Sequence, residues 1–371
     1  MGSSHTVVHL TTVHHPYDVR IYHKECLSLY KAGYNVYLIA PDSNNDKEVP
    51  IKHIKLKTYN SRLKRMIFGT FDAYRKAKKI KANVYHFHDP ELMIVAWLLK
   101  NRKNVVVYDV HEDFITSLIK KDYLNKWLKK IIKNTFKTIE KFFTRKFKKV
   151  LAEKYYIENH PDGHYILNYP ILNDDIDKHE RTYETLDNAL IYTGNVDVQR
   201  GAYIHARLPL IHHDIECYVI GKCDETYANK MFDIAGGHKD RLKIDGINRF
   251  VEKEAIEEAY YNRNWLAGLA LFPPTDHYLR KELTKFFEYM NAGIPILCSN
   301  FPAWKQFIEE YDCGIAVDPF NEEEIRDAIE FLRNNPDEVK RMGENGKRAV
   351  HENLNWDTQA KKLVQLYENW I

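Results

Sequence analysis

Short apolar runs rich in Val, Ile and Tyr recur along this chain with helical stretches between them, and this alternation constrains the fold more than any other feature. The first half has such runs at 7–13, 35–40, 83–88 and 104–110, and a helical pattern from Ile21 to Lys31 stops at Gly33. After an irregular stretch at 170–187 the rhythm restarts, with runs at 189–193, 216–220, 242–244, 269–272, 294–297 and 315–317. From Glu322 onward the chain reads as helix, with turns near Asn334-Asn335-Pro336 and Gly346. Strands alternating with helices predict βαβ units and parallel sheets buried on both faces. At 371 residues the chain is long enough for two domains. The expectation is an α/β protein of two Rossmann-like domains, 1–172 and 173–355, followed by a closing helix at 356–371. Hydrophobic residues at 44% exclude a disordered chain. Five cysteines without a C-x-x-C pair argue against a disulfide framework or zinc ribbon and for a reducing cytoplasm. No apolar run of about 18 residues predicts a membrane span, and Met1 to His5 lacks the form of a signal peptide.

In doubly wound sheets, ligands bind beyond the carboxyl ends of the strands, so the polar residues that follow each run are the candidates. His88-Asp89-Pro90-Glu91 and Asp109-Val110-His111-Glu112-Asp113 both stand at such ends. Asp89 and Asp113 either face a ligand or cap the next helix, whereas His111 reads as a site residue. His86, His88 and His111 are conceivable metal ligands. However, His86 and His88 are alternate residues of one strand and no H-E-x-x-H helix is present, so no metal is expected. Thr193-Gly194-Asn195 ends the first strand of the second half, and Gln199-Arg200-Gly201 opens the next helix, where backbone amides and a guanidinium suit an anion. This is neither G-x-G-x-x-G nor a P-loop, which removes the main support for a dehydrogenase or an NTPase. Further on, Thr284 and Lys285 start a helix and Glu288 lies one turn later on the same face. A cation for phosphate and a carboxylate for sugar hydroxyls suit a nucleotide, although spacing alone favours an ordinary amphipathic helix with one exposed Lys–Glu pair.

Charge is uneven. Residues 120–149 carry twelve Lys or Arg against two acidic residues, while the rest of the chain is net acidic. Apolar residues at Leu124, Trp127, Leu128, Ile131, Ile132, Phe136, Ile139, Phe142, Phe143, Phe147 and Val150 follow helical spacing. Three readings are open: an apolar face packed into the first domain with solvated lysines, attachment to an anionic membrane surface, and nucleic-acid binding. The last is weakened because no reading module accompanies the stripe.

The order and spacing of these motifs resemble glycosyltransferase family 4, retaining nucleotide-sugar enzymes of the GT-B fold, and the resemblance runs over most of the chain. It is carried by His15-Pro16-Tyr17-Asp18-Val19-Arg20-Ile21, His88-Asp89-Pro90-Glu91-Leu92, Asp109-Val110-His111-Glu112-Asp113, Tyr192-Thr193-Gly194 with Arg200-Gly201, the segment from Thr284-Lys285 to Gly293-Ile294-Pro295, and Asn355-Trp356-Asp357. The second and third of these are most similar to members that act in cell-surface polysaccharide synthesis. The resemblance implies two domains facing each other across a cleft, with the last helix returning to the first domain.

It also implies roles. Glu288 would bind the donor ribose, Arg200 and Lys285 would hold the diphosphate, and Gly194, Asn195 and Thr284 would complete that pocket. The base would rest at Asn248 and Arg249. His111 would sit beside the transferred sugar, with Asp18, Arg20, His88 and Asp89 on the acceptor side. Many members carry a Glu eight residues before the ribose-binding one and an Arg after the first glycine of the donor domain; here these positions are Arg280 and Asn195. Glu282 is a possible substitute for the missing Glu, and Lys285 would carry more of the phosphate charge. The expected activity is transfer of a sugar from a nucleoside-diphosphate sugar, UDP in preference to GDP, to a lipid-linked or polysaccharide acceptor. The enzyme would be cytoplasmic and peripheral on the inner membrane face, with no cofactor or metal and no nucleic-acid partner. The alternatives are a nucleotide-sugar 2-epimerase on the same fold and a nucleic-acid-binding protein.

Overall fold

The computed structural model describes residues 5–43, 50–111, 125–172 and 181–371. The chain divides into two units, Met1–Asn168 with Trp356–Ile371, and Tyr169–Asn355. Unit 1 is built on β1 (Thr6–Leu10), β2 (Asn35–Pro41), β3 (Lys52–Leu56), β4 (Val84–Phe87), β5 (Val105–Val110), β6 (Lys148–Leu151) and β7 (His164–Tyr165), in the order β3-β2-β1-β4-β5-β6-β7. Unit 2 is built on β8 (Ala189–Thr193), β9 (Glu216–Cys223), β10 (Leu242–Ile247), β11 (Ala267–Ala270), β12 (Ile296–Ser299) and β13 (Gly314–Val317), in the order β10-β9-β8-β11-β12-β13. Every pairing is parallel. Each sheet reverses its winding beside its first strand, β1/β4 in unit 1 and β8/β11 in unit 2. A doubly wound sheet opens a crevice at that place.

The strand residues explain the arrangement. All four residues of β4 and all five of β8 are buried, as strands covered on both faces require. Successive residues in unit 1 supply opposite cores: Val8, Tyr85 and Val106 one side, Val7, Val84 and Val107 the other. The second core is covered by α1, which runs through Val19–Cys26 and Leu27–Lys31. Asp18 starts that helix by accepting the amides of Arg20 and Ile21 at 2.8 and 2.9 Å. The first core is covered by α2 (residues 62–79), α3 (Met93–Leu99) and α4 (Lys126–Thr144).

Three strands escape a reading by apolar runs. β3 is half polar, β7 has only two residues, and β6 was hidden inside the basic stripe. The helical spacing read from Tyr123 to Val150 therefore ends at Thr144; Phe147 and Val150 are buried beyond it, in a turn and in β6. Four apolar side chains in a row of helix-compatible spacing also fit a turn into a strand, and only the partner β5 decides between them. Residues 112–124, which include Glu112, Asp113 and Leu124, lie outside the described residues.

In unit 2, α5 (Thr284–Asn291) precedes β12, and after Asn355 the chain enters α6 (Trp356–Trp370). Trp356, Leu363 and Tyr367 of α6 are buried in the second core of unit 1. The Trp356 indole donates to Ser28 Oγ at 2.9 Å, Gln359 Oε1 accepts the Leu167 amide at 3.0 Å, and the Tyr367 hydroxyl lies 2.8 Å from His86 Nδ1. The five cysteines are free and buried. Among the described residues, no helix is long and apolar enough to cross a membrane.

One glycine is fixed by geometry. Gly201 has φ +78°, and a Cβ there would fall 1.9 Å from the Leu271 carbonyl oxygen. Gly201→Ala should therefore destabilise unit 2 by about 2 kcal/mol or more, from left-handed strain plus displacement of the β11 exit. Urea unfolding followed by tryptophan fluorescence checks this; a change within 0.5 kcal/mol, roughly that of a surface substitution, would show that the loop yields without cost.

Candidate active site

In unit 1 the loops after β1, β4 and β5 converge on one buried carboxylate. Asp109, the penultimate residue of β5, accepts Arg20 Nη2 at 2.7 Å and Arg20 Nε at 3.0 Å, a two-pronged pair with both partners buried. It also accepts His88 Nδ1 at 2.9 Å and lies 2.9 Å from His111 Nδ1. With Nδ1–H of His88 committed to Asp109, its Nε2 accepts from His9 Nδ1 at 3.0 Å. Arg20 Nη2 reaches a second carboxylate, Glu25 Oε1, at 3.2 Å. One guanidinium thus stands between two buried carboxylates.

The charges divide accordingly. Although burial opposes ionisation, the Arg20 charge, helped by His111 and by hydrogen bonds from both histidines, holds Asp109 well below the usual carboxylate range. Burial, together with the Asp109 charge, pushes Glu25 well above it, so Glu25 is the protonated member. Burial keeps His9 and His86 neutral. Burial would also lower His111, but the Asp109 charge and hydrogen bond outweigh it and raise His111 to about 9. His111 is then an imidazolium at neutral pH, a donor and not a general base. It leans on His14, Nε2 to Nε2 at 3.2 Å, and His14 Nε2 lies 3.4 Å from Asp89.

Asp89 does not cap the following turn. Its Oδ2 accepts the Thr12 amide at 2.5 Å and the hydroxyls of Thr11 and Thr12 at 3.0 and 3.2 Å, so it holds the loop after β1. Of the acceptor-side residues expected from sequence, Asp18, His88 and Asp89 join this network. Arg20 does not line an open surface; it is 5% exposed and acts as a positioning residue beneath Asp109. His9 and Glu25 belong to the cluster and were not foreseen. The ligand atoms of His9, Glu25, His86 and His88 lie within 4.8 Å of one another, as do those of His88, Asp109 and His111. Such nitrogen-rich sets suit a zinc-like cation, but here the Arg20 guanidinium already stands against Asp109 as its counter-charge.

In unit 2 the expected phosphate and ribose residues gather around the carboxyl end of β8. Lys285 Nζ donates to the Thr193 carbonyl at 2.8 Å and sits 3.6 Å from the centre of the Tyr192 ring. Burial lowers its pKa well below the ordinary lysine range; Glu288 opposes that shift and Arg200 adds to it, so the three charges sense one another. Arg200 is aimed by Tyr278, whose hydroxyl accepts its Nε at 3.1 Å, and its Nη1 lies 3.5 Å from the Asn195 carbonyl. Glu288 Oε2 accepts the Tyr260 hydroxyl at 2.8 Å, and that hydroxyl is 2.8 Å from Thr193 Oγ1. Gly194 turns the chain here with φ +98°. Thr284 is exposed at the start of α5.

Asn248 and Arg249 have other partners. The Asn248 side chain holds the Glu225 amide and carboxylate at 3.0 and 2.9 Å, and Arg249 pairs with Asp245. Tyr260 and Tyr278 were missed by the sequence reading. No local spacing links them to Glu288 or Arg200, and only the folded sheet does.

The next experiment concerns His111. With a folded-state pKa of about 9, the stabilisation it gains from Asp109 is complete below pH 6.5 and lost as pH rises through 9. Imidazole NMR titration should show one histidine with a pKa near 9 in the native chain, falling below 6.5 in Asp109→Asn, where burial remains and the charge is gone. Titration of every histidine at or below 6.5 in the native chain would contradict this assignment.

Solved structures share this two-sheet architecture. A glycosyltransferase from Rickettsia africae matches over 100% of this chain and 99% of its own, with TM-score 0.71 and 15% identity. The HepE protein of Anabaena in complex with UDP matches over 99% and 100%, with TM-score 0.69 and 9% identity. These likenesses define the fold as GT-B. Residues 19–160 match Glycosyltransferase Family 4, and residues 283–349 match Glycosyl transferases group 1. The two matches together span more than half of the chain, one in each unit, and the chain belongs to the family 4 type of GT-B glycosyltransferases. Among curated relatives, an 85-residue stretch is 31% identical to MMP alpha-(1->4)-mannosyltransferase of Mycolicibacterium hassiacum, and an 83-residue stretch is 30% identical to spore coat protein SA of Bacillus subtilis. These stretches cover 23% and 22% of this chain, and 21% and 22% of the respective relatives' lengths.

Proposed function

We propose that this chain transfers a sugar, with retention, from a nucleoside-diphosphate sugar to a lipid-linked or cell-surface polysaccharide acceptor at the inner face of the cell membrane. The observation that carries the reading is the gathering of Arg200, Lys285 and Glu288 around the end of β8. Two cations and a carboxylate match a diphosphate and a ribose. Cations placed in advance stabilise the negative charge that develops on the departing diphosphate, and removal of one such group typically costs about 10²–10³ in rate. The two side chains supply this charge themselves, so the reaction needs no metal and no cofactor. The uridine preference is supported by the HepE complexes, which hold UDP and UDP-glucose. In this reading unit 2 takes the donor and unit 1 the acceptor, with His111 as a charged hydrogen-bond donor to the sugar. The exposed apolar side chains of α4 among its lysines favour a lipid surface over nucleic acid as its partner.

Glu288 offers the sharpest binding test. A hydrogen bond to an ionised carboxylate contributes about 1.5–3 kcal/mol, roughly 10- to 100-fold in affinity. The native chain should bind UDP more tightly than 2′,3′-dideoxy-UDP by that factor in calorimetry, and Glu288→Ala should bind both equally weakly. Equal affinities in the native chain would remove Glu288 from the ribose.

The reaction is tested with labelled UDP-sugars. Incubation with a lipid-linked oligosaccharide fraction should move label into the lipid phase, in proportion to added acceptor. Epimerised nucleotide sugar formed without any acceptor would instead identify a 2-epimerase.

A further inference from the structure

The amino ends of β4 and β5 carry a recess of about 640 Å³, set between the end of α2, the turn into β4 and the loop 100–104 that leads from α3 to β5. Five cations line it: Lys78, Lys81, Lys100, Arg102 and Lys103. Among the described residues, no carboxylate lines it. The neighbouring chain offers none, since residues 73–88 and 92–108 contain no Asp or Glu. Asp72, just before the first stretch, is already held by Arg75 and Lys76 at 3.4 and 2.6 Å. None of the five cations forms an ion pair among the described residues. A cleft lined by one sign of charge focuses the field and concentrates the opposite ion.

The walls of the recess are fixed by hydrogen bonds. Asn104, buried at the foot of the loop, donates Nδ2 to the Leu99 carbonyl at 2.8 Å and accepts the Asn101 amide at 2.9 Å. Asn101 Oδ1 in turn accepts the Lys103 amide at 2.7 Å. On the opposite side the buried Tyr85 hydroxyl donates to the Ile80 carbonyl. Lys100 and Lys78 meet neutral acceptors, the Asn101 carbonyl at 2.6 Å and the Tyr74 hydroxyl at 3.1 Å. Burial and the neighbouring Lys146 charge lower Lys100 below the ordinary lysine range. Lys81, Arg102 and Lys103 are exposed. Cations gathered around one concavity call for a compact ligand with several negative charges, whereas a bilayer or a nucleic acid presents its charge along an extended face. Linked phosphates carry the most charge in the least volume, and the fork of Arg102 suits their paired oxygens. Position separates this recess from the candidate active site of unit 1, because His88, Asp89 and Asp109 stand at the carboxyl ends of the same two strands.

We propose that this recess is a second anion site, which binds a compact soluble ligand bearing two or more linked phosphates at the amino ends of β4 and β5. The site does not depend on the donor and acceptor assignments given above. An anionic bilayer and a single-stranded nucleic acid are the competing occupants.

Sodium tripolyphosphate titrated into the full chain by calorimetry tests the site. It should bind about tenfold or more tightly than orthophosphate, since several charge-assisted contacts form at once, and more weakly as salt rises. Lys81→Ala, Arg102→Ala and Lys103→Ala combined in one chain should weaken tripolyphosphate binding by about tenfold or more. The three side chains are exposed, so this variant should keep the native melting temperature. Lys81→Arg with Lys103→Arg, which keeps the charge, should keep the binding. Two controls should also keep it: Arg200→Ala in unit 2, and Lys129→Ala, Lys130→Ala and Lys133→Ala combined on α4. A native chain without affinity for tripolyphosphate would overturn the proposal. So would an equal loss in the α4 variant, which marks diffuse charge, or a loss in Arg200→Ala with none in the recess variant, which places the ligand in unit 2. Binding to anionic phospholipid vesicles or to oligonucleotides without binding to tripolyphosphate would overturn it as well.

Discussion

The Arg20 guanidinium between Asp109 and Glu25 is the interaction on which unit 1 depends. Two buried carboxylates face this one guanidinium, at 2.7 Å from Asp109 and 3.2 Å from Glu25. Here the fork-shaped pair with Asp109 wins, and Glu25 keeps its proton. Everything polar at the ends of β1, β4 and β5 follows from that division. The ionised Asp109 fixes the tautomer of His88, charges His111 and, through His88, orients His9. Removing one partner of such a pair leaves an uncompensated buried charge, typically worth 3–5 kcal/mol. Arg20 therefore bears on stability and on the site at once.

Unit 2 solves a different electrostatic problem. Lys285 donates to a carbonyl and rests on an aromatic face, whereas Arg200 is turned by a tyrosine and pairs with Asp197, Nε to Oδ2 at 3.6 Å. Burial disfavours the ammonium form of Lys285, and an anion bound beside it would favour that form.

The sequence and the structure agree where the signal is local. Strands built from apolar runs and the polar residues at their carboxyl ends were legible, because each reports one element and its immediate exit, whereas the spacing of Thr284, Lys285 and Glu288 by itself favoured an ordinary amphipathic helix. What remained hidden depends on elements far apart in the chain. Glu25 looks like an ordinary residue of an amphipathic helix until α1 folds onto β1 and β4. Tyr260 is 28 residues from Glu288 and Tyr278 is 78 from Arg200, and no periodicity connects them. The α4 boundary failed for a related reason: Phe147 and Val150 continue a helical spacing by coincidence, and only pairing with β5 makes the second of them a strand residue.

The discontinuity of unit 1 bears on how the molecule is made. Tyr367 reaches His86 from α6, and Trp356 and Leu363 fill the same core, yet these residues are synthesised only after the whole of unit 2. A ribosome-bound nascent chain therefore carries its earlier unit with one wall missing while the later unit is still emerging, and contiguous unit 2 can be finished first. Helix α6 acts as a latch on assembly: the buried histidine cluster is sealed from water only once the residues that follow unit 2 have been made.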